Sequence, residues 1–196
     1  MAEPRRHPDL CAVVLAGGKS RRMGTNKAFV LVAGVPIISR LIDEARLLTD
    51  EVRISANDPA PYEPFGVPVI SDIHPGQGPL AGLHAGFAST RRSFVLLLAC
   101  DLPRARAEWL ERLVALADAW DAVIPRTSDG RVHPLCAVYK RNCLPALERN
   151  LQVGINKMTA LFDDSSLRVL WLDGRAGGFH DADLVNINTP DDLASC

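Results

Sequence analysis

Leu15-Ala16-Gly17-Gly18-Lys19-Ser20-Arg21-Arg22-Met23-Gly24 places three glycines, a lysine and two arginines in one short segment, with Lys27 just beyond. Glycine lets bare backbone approach a ligand, and a run of backbone N–H groups with cationic side chains suits a polyphosphate. No acid interrupts the stretch from Lys19 to Lys27. A basic run alone reads equally well as solvated surface. The adjoining glycines and the apolar run Cys11–Leu15 before them favour phosphate binding. The spacing excludes two common phosphate loops. It does not match the order G-x-G-x-x-G, and Val13 stands where the first glycine of a P-loop would precede Gly18-Lys19-Ser20. It does match L-A-G-G-x-S-x-R-M-G followed by lysine, a nucleotidyltransferase loop.

Further candidates lie downstream. Asp101 closes the apolar run Phe94–Ala99. A carboxylate at the end of a buried strand is costly unless it is paired or binds a cation, and one aspartate can be the main protein anchor of a Mg²⁺ that keeps phosphate and water ligands. Capping the next helix is the alternative reading of Asp101. Gly76-Gln77-Gly78-Pro79-Leu80-Ala81-Gly82 is a glycine-rich turn entering a helix, able to admit a flat base or merely to start the helix with proline. Asp72 either accepts from a nucleoside or ends a strand. His133-Pro134 has no recognisable catalytic partner and reads as structural or substrate-positioning. Asn186 and Asn188 would point the same way on a strand, before Thr189-Pro190 opens a last helix.

Elements that could hold these residues follow from the apolar pattern. Strands are predicted at Cys11–Leu15, Glu51–Ala56, Val67–Ser71, Phe94–Ala99, Ala122–Pro125, His133–Tyr139 and Leu167–Leu172. Helical stripes run from Pro36 to Leu48, from Pro79 to Thr90, through Leu110, Leu113, Val114 and Ala117, and through Leu144, Leu147 and Leu151. This alternation predicts a mostly parallel sheet with helices on both faces, and the section from Thr127 to Tyr139 can supply an antiparallel strand. Ligands of such sheets bind beyond the carboxyl ends of the strands, where the loop after Leu15, Asn57, Asp72 and Asp101 all fall. Gly174–Gly178 is expected to be a flexible loop.

The 196 residues suit one domain, 1–196, with residues 1–9 as a flexible tail. A net charge of -1 gives no overall field for nucleic acid or anionic membrane, so neither is an expected partner. The five cysteines form no CxxC pair, and reduced thiols in a cytoplasmic protein are the simplest account. Met1–Leu10 carries no apolar signal region, and Phe94–Cys100 is too short to span a bilayer.

Taken together, Leu15–Lys27, Ile54–Asn57, Asp72, Gly78–Gly82, Cys100–Pro103, His133–Tyr139 and Asn186–Leu193 resemble the molybdenum cofactor guanylyltransferases over nearly the whole chain. The resemblance implies an α/β, three-layer Rossmann-like nucleotidyltransferase fold. It implies transfer of GMP from GTP to the phosphate of the molybdopterin-bound molybdenum cofactor, releasing pyrophosphate. Leu15, Ala16, Gly17 and Gly18 would hold GTP, with Asn57, Asp72 and the segment Gly78, Pro79, Leu80, Ala81 and Gly82 around the nucleoside. Arg22 and Lys27 would neutralise the phosphates, Asp101 would carry Mg²⁺, and Asn186 and Asn188 would face the acceptor. Gly18 matches the guanylyl version of the loop, since cytidylyl relatives tend to show Leu-Ala-Ala-Gly. Ser55 stands where some members have asparagine, so Asn57 is the preferred GTP contact. Further cofactor-biosynthesis proteins and acceptor enzymes are implied partners. The competing readings are a cytidylyl- or sugar-phosphate nucleotidyltransferase and a non-catalytic GTP-binding module.

Overall fold

The computed structural model describes residues 5–17, 26–187 and 192. Gly18, Lys19, Arg21, Arg22 and Asn188 therefore lie outside the described residues. In chain order the strands and helices are β1 (Leu10–Leu15), β2 (Leu31–Val32), β3 (Val35–Pro36), α1 (Ile37–Leu48), β4 (Val52–Ser55), β5 (Val69–Ile70), α2 (Gly78–Ser89) and β6 (Phe94–Ala99). They continue with α3 (Ala107–Leu116), β7 (Ala122–Arg126), β8 (Cys136–Lys140), α4 (Leu144–Gln152), β9 (Val169–Asp173) and the single turn α5 (Gly174–Gly177).

Among the described residues one seven-stranded sheet runs in the order β5-β4-β1-β6-β8-β7-β9. Only β8 is antiparallel to its neighbours, through Leu96↔Val138 on one side and Val123↔Val138 on the other. Every other pairing in the sheet is parallel. The side-chain period of two sends Leu10, Ala12, Val14, Leu96 and Leu98 to one face, where α1 and α3 cover them. It sends Cys11, Val13, Val95 and Leu97 to the other, beneath α2 and α4. Burial on both faces explains why β6 reads as an unbroken apolar run.

Helix α2 needs glycine to lie where it does. A Cβ on Gly82 would stand 2.5 Å from Leu15 Cδ2 and 3.1 Å from Ser55 Oγ, and one on Gly86 would stand 2.9 Å from Val13 Cγ2. Spaced by one helical turn, the two glycines let the helix backbone settle onto β1. The small hairpin β2–β3 turns through Ala33 (φ 51°) and Gly34 (φ 79°), the two positive angles that a tight two-residue turn requires. The apolar pattern gave no sign of this hairpin, whose strands are two residues each. Pro36, expected as the first helical residue, instead ends β3 and caps α1. Gly174–Gly177, expected as loop, forms the helical turn α5 because a Cβ on Gly174 would stand 2.4 Å from the Phe179 carbonyl oxygen, so only glycine lets the chain double back there.

Arg141 fastens the amino-terminal edge of the sheet. Its guanidinium donates to the carbonyls of Phe87 (3.1 Å), Thr90 (2.7 Å) and Arg92 (2.9 Å), where α2 ends and the chain turns into β6. Residues before β1 are tied as well: His7 N–H donates to Leu48 C=O at 2.7 Å, and Arg5 N–H to Glu111 Oε1 at 2.9 Å.

Candidate functional site

The parallel strands deliver Leu15, Ser55, Ala99, Arg126 and Asp173 to one edge of the sheet. Because β8 runs the other way, the residues before it, His133 and Pro134, reach that same edge. Chain direction alone thus gathers most of the chemistry-bearing segments in one place.

At the end of β1 the backbone is committed to its neighbours. Ala16 and Gly17 N–H both donate to Ser55 C=O at 3.1 Å, and Leu15 C=O accepts from Cys100 N–H at 3.3 Å. The expectation of bare N–H groups therefore does not hold for Ala16 and Gly17, since the Ser55 carbonyl at the end of β4 takes up both. Gly17 is exposed. Sequence reasoning missed Tyr62, which is buried beneath this turn. Its hydroxyl donates to Ala16 C=O at 2.9 Å and accepts from Asn26 Nδ2 at 2.7 Å. Asn26 Oδ1 in turn caps the short turn Lys27–Phe29, accepting from Ala28 N–H at 3.0 Å, and so sets the start of that turn at Lys27. The only trace of this link in the sequence is the aromatic pair in Pro61-Tyr62-Glu63-Pro64-Phe65.

Asn57 and Asp72 meet at the ends of β4 and β5. Asn57 Nδ2 donates to Asp72 Oδ2 at 3.1 Å, and Asp72 N–H donates to Asn57 Oδ1 at 3.0 Å. This reciprocal pair joins two loops at an open rim. Ser55, by contrast, is buried under Gly82. Gly78 and Pro79 stand at the rim where α2 begins, whereas Leu80, Ala81 and Gly82 are buried inside the helix–sheet contact.

Asp101 follows β6. Its Oδ2 accepts from Asn186 Nδ2 at 3.2 Å, and its backbone C=O accepts from Ile187 N–H at 2.8 Å. Among the described residues its Oδ1 is buried without a hydrogen-bond partner, and so is Asn186 Oδ1. Burial raises the Asp101 carboxyl above the usual aspartate value, and the charge of Lys27 draws it part of the way back. Asn186 is not on a strand, contrary to the sequence expectation. Among the described residues its segment is anchored by the bond from Ile187 N–H to Asp101 C=O and carries no strand pairing. An unpartnered anionic oxygen beside a lysine's field is a site that favours a cation or a proton.

The MobA-like NTP transferase domain family matches residues 12–168. This chain belongs to the MobA-like NTP transferases. The molybdenum cofactor guanylyltransferase of Desulfosudis oleivorans is 35% identical over 186 residues, covering 92% of this chain and 91% of that protein. A probable molybdenum cofactor guanylyltransferase of Nostoc is 36% identical over 192 residues, covering 95% and 89%. The molybdopterin-guanine dinucleotide biosynthesis protein A of Archaeoglobus fulgidus superposes with a TM-score of 0.79 at 28% identity, covering 94% of this chain and 95% of that one. The mixed sheet with helices on both faces is the Rossmann-like nucleotidyltransferase fold of this MobA-like family. Among the described residues no helix is long and apolar enough to cross a membrane.

Proposed function

We propose that this MobA-like transferase moves GMP from GTP to the phosphate of the molybdopterin-bound molybdenum cofactor. An acceptor phosphate oxygen attacks the α-phosphorus, the bond to the β-phosphate breaks in line, and pyrophosphate leaves with the electron pair. No protein nucleophile is needed, so catalysis rests on positioning and charge. The observation that carries the reading is the Asp101 carboxylate, with one oxygen unpartnered, at the end of β6 in a chain that two guanylyltransferases match over more than nine-tenths of its length.

That lone carboxylate oxygen fits Mg²⁺, a hard cation that takes carboxylate and phosphate oxygens together. When bound on Asp101, Mg²⁺ would supply Lewis-acid neutralisation of the triphosphate. Lys27 adds positive charge beside it, and Arg22 is assigned the departing pyrophosphate. Leu15, Ala16 and Gly17, held to β4, present an exposed glycine against which a nucleotide lies closely, and Gly18 continues that backbone. The Asn57–Asp72 pair and the Gly78-Pro79 corner form the nucleoside rim. Asn186 holds the carboxylate in place, and Asn188 is assigned to the acceptor side with it.

The test is pyrophosphate release with GTP, CTP, ATP or UTP, each with and without the molybdenum cofactor, in Mg²⁺. Release that needs both GTP and the acceptor is expected. Preference for CTP would reassign the chain as a cytidylyltransferase. GTP binding with no release would leave only a binding module.

A further inference from the structure

Tyr62 stands on the short turn Ala60–Phe65 just beyond Asn57, and it is 3% exposed. Its ring stacks on Phe29 with centroids 5.4 Å apart and planes 23° apart, and Phe29 meets Phe65 at 6.1 Å. A phenylalanine would satisfy that packing equally well. The hydroxyl does something that packing does not ask for, because it joins two segments of the chain. It donates to Ala16 C=O at 2.9 Å and accepts from Asn26 Nδ2 at 2.7 Å, so Ala16 and Asn26, at either end of the glycine- and arginine-rich stretch, meet on one oxygen. Burial raises the phenol pKa above its usual value, which keeps the proton on the hydroxyl and the donor in place.

Each end of this bridge is held on its far side as well. The peptide between Ala16 and Gly17 has its C=O on Tyr62 and its N–H on Ser55 C=O at 3.1 Å, so its plane is pinned from both directions. Asn26 gives Nδ2 to Tyr62, and its Oδ1 accepts from Ala28 N–H at 3.0 Å, which fixes the start of the turn Lys27–Phe29. The two ends differ in what would remain without the hydroxyl. Gly17 would keep its bond to β4, whereas the turn at Lys27 would lose its tie to the end of β1. Lys27 is therefore the group whose place depends most on Tyr62, and its charge is felt at the Asp101 carboxyl. A cation serves a polyphosphate best when it is already in position, since a charge that must be moved into place loses the advantage of preorganisation.

We propose that Tyr62 is a positioning residue for GTP, holding Lys27 at a set distance from the Gly17 backbone so that both meet one triphosphate. The assignment rests on the GTP site of the guanylyl-transfer reading above, and adds to it a residue that touches neither substrate.

Calorimetric titration of the full chain with GTP in Mg²⁺, beside steady-state pyrophosphate release, tests it. Tyr62→Phe keeps the ring and removes the bridge. It is expected to weaken GTP binding roughly ten-fold while the acceptor KM stays within about two-fold, on the scale of one lost hydrogen-bonded contact. In a Lys27→Ala background the same change is expected to weaken GTP by less than about two-fold, because a residue that acts through Lys27 then has nothing to position. Phe65→Leu loosens the same aromatic cluster without touching the hydroxyl, and is expected to lower Tm and leave GTP affinity as it was. Full additivity of Tyr62→Phe with Lys27→Ala, unchanged GTP affinity in Tyr62→Phe, or an equal loss in Phe65→Leu would overturn the assignment. Should Tyr62→Phe fail to fold, Asn26→Ala breaks the bridge from its other end and is read in the same cycle with the same outcomes. A wild-type protein that binds GTP yet releases no pyrophosphate with acceptor would instead refute the transfer reading, while the GTP titrations still decide the role of Tyr62.

Discussion

Asp101 is a buried carboxylate that the fold leaves only half satisfied. Its carboxylate is held by one amide and influenced by one lysine, with one oxygen left over. Because burial raises its pKa, the native state keeps this proton to higher pH than the unfolded chain does. The stabilisation this proton brings is complete below the ordinary value of 3.8 and is lost as pH rises through the raised native value. Asp101→Asn removes the buried charge and retains the acceptor for Asn186. Turnover is expected to fall by roughly 100-fold or more, on the scale of losing a charged transition-state partner. The same variant is expected to melt higher than wild type at neutral pH, and the gap should narrow as pH falls toward the usual aspartate range. Thermal melts across pH measure this, and a lower neutral-pH Tm for the variant would show that the ionised carboxylate is adequately paired.

Among the elements, α2 carries the tightest demand. Gly82 and Gly86 lie on one stripe, but a Cβ on Gly82 would meet Leu15 and Ser55 at the carboxyl edge, whereas one on Gly86 would meet Val13 and Val95 farther back. Gly82→Val and Gly86→Val are each expected to cost about 1–3 kcal/mol in urea unfolding, the usual penalty of overpacking. Only Gly82→Val should also weaken GTP, since Leu15 must leave its place and Gly17 follows it. Equal GTP KM values in the two variants would separate the position of Leu15 from nucleotide binding.

The whole molecule divides its labour between two edges of one sheet. Chemistry-bearing side chains collect at the carboxyl edge, and the amino edge holds structural ties such as Arg141 on three carbonyls. Arg141→Met keeps an apolar side chain and removes both the donors and the guanidinium that lies over the Phe87 ring at 5.4 Å. Stranding those carbonyls is expected to cost about 1–3 kcal/mol of stability with both KM values unchanged within about two-fold. Chemical denaturation and steady-state kinetics on the same preparation check it, and a change in either KM would mean that the edges are coupled.

Local pattern determined a good deal. The run Phe94–Ala99 is β6 residue for residue, the stripe of Ile37, Ile38, Leu41, Ile42, Ala45 and Leu48 is the buried face of α1, and the turn at Ser128-Asp129-Gly130 does precede the antiparallel strand. Burial of apolar side chains repeats with the period of the element, so such features are written in consecutive residues. Asp101 stood out as a candidate because a carboxylate ending an apolar run is visible without a fold. Contacts between distant segments have no such local trace. Tyr62 beneath Ala16, Asn57 against Asp72 and Asn186 on Asp101 each join residues 15 to 85 positions apart, through loops whose paths depend on the order of strands in the sheet. The sequence by itself supplied the sheet, its layers and the carboxylate. Tertiary structure decided which backbone groups at Ala16 and Gly17 were already spent, and which buried oxygen and nitrogen atoms among the described residues were left without a partner, because hydrogen-bond satisfaction is settled only when all the neighbours are in place.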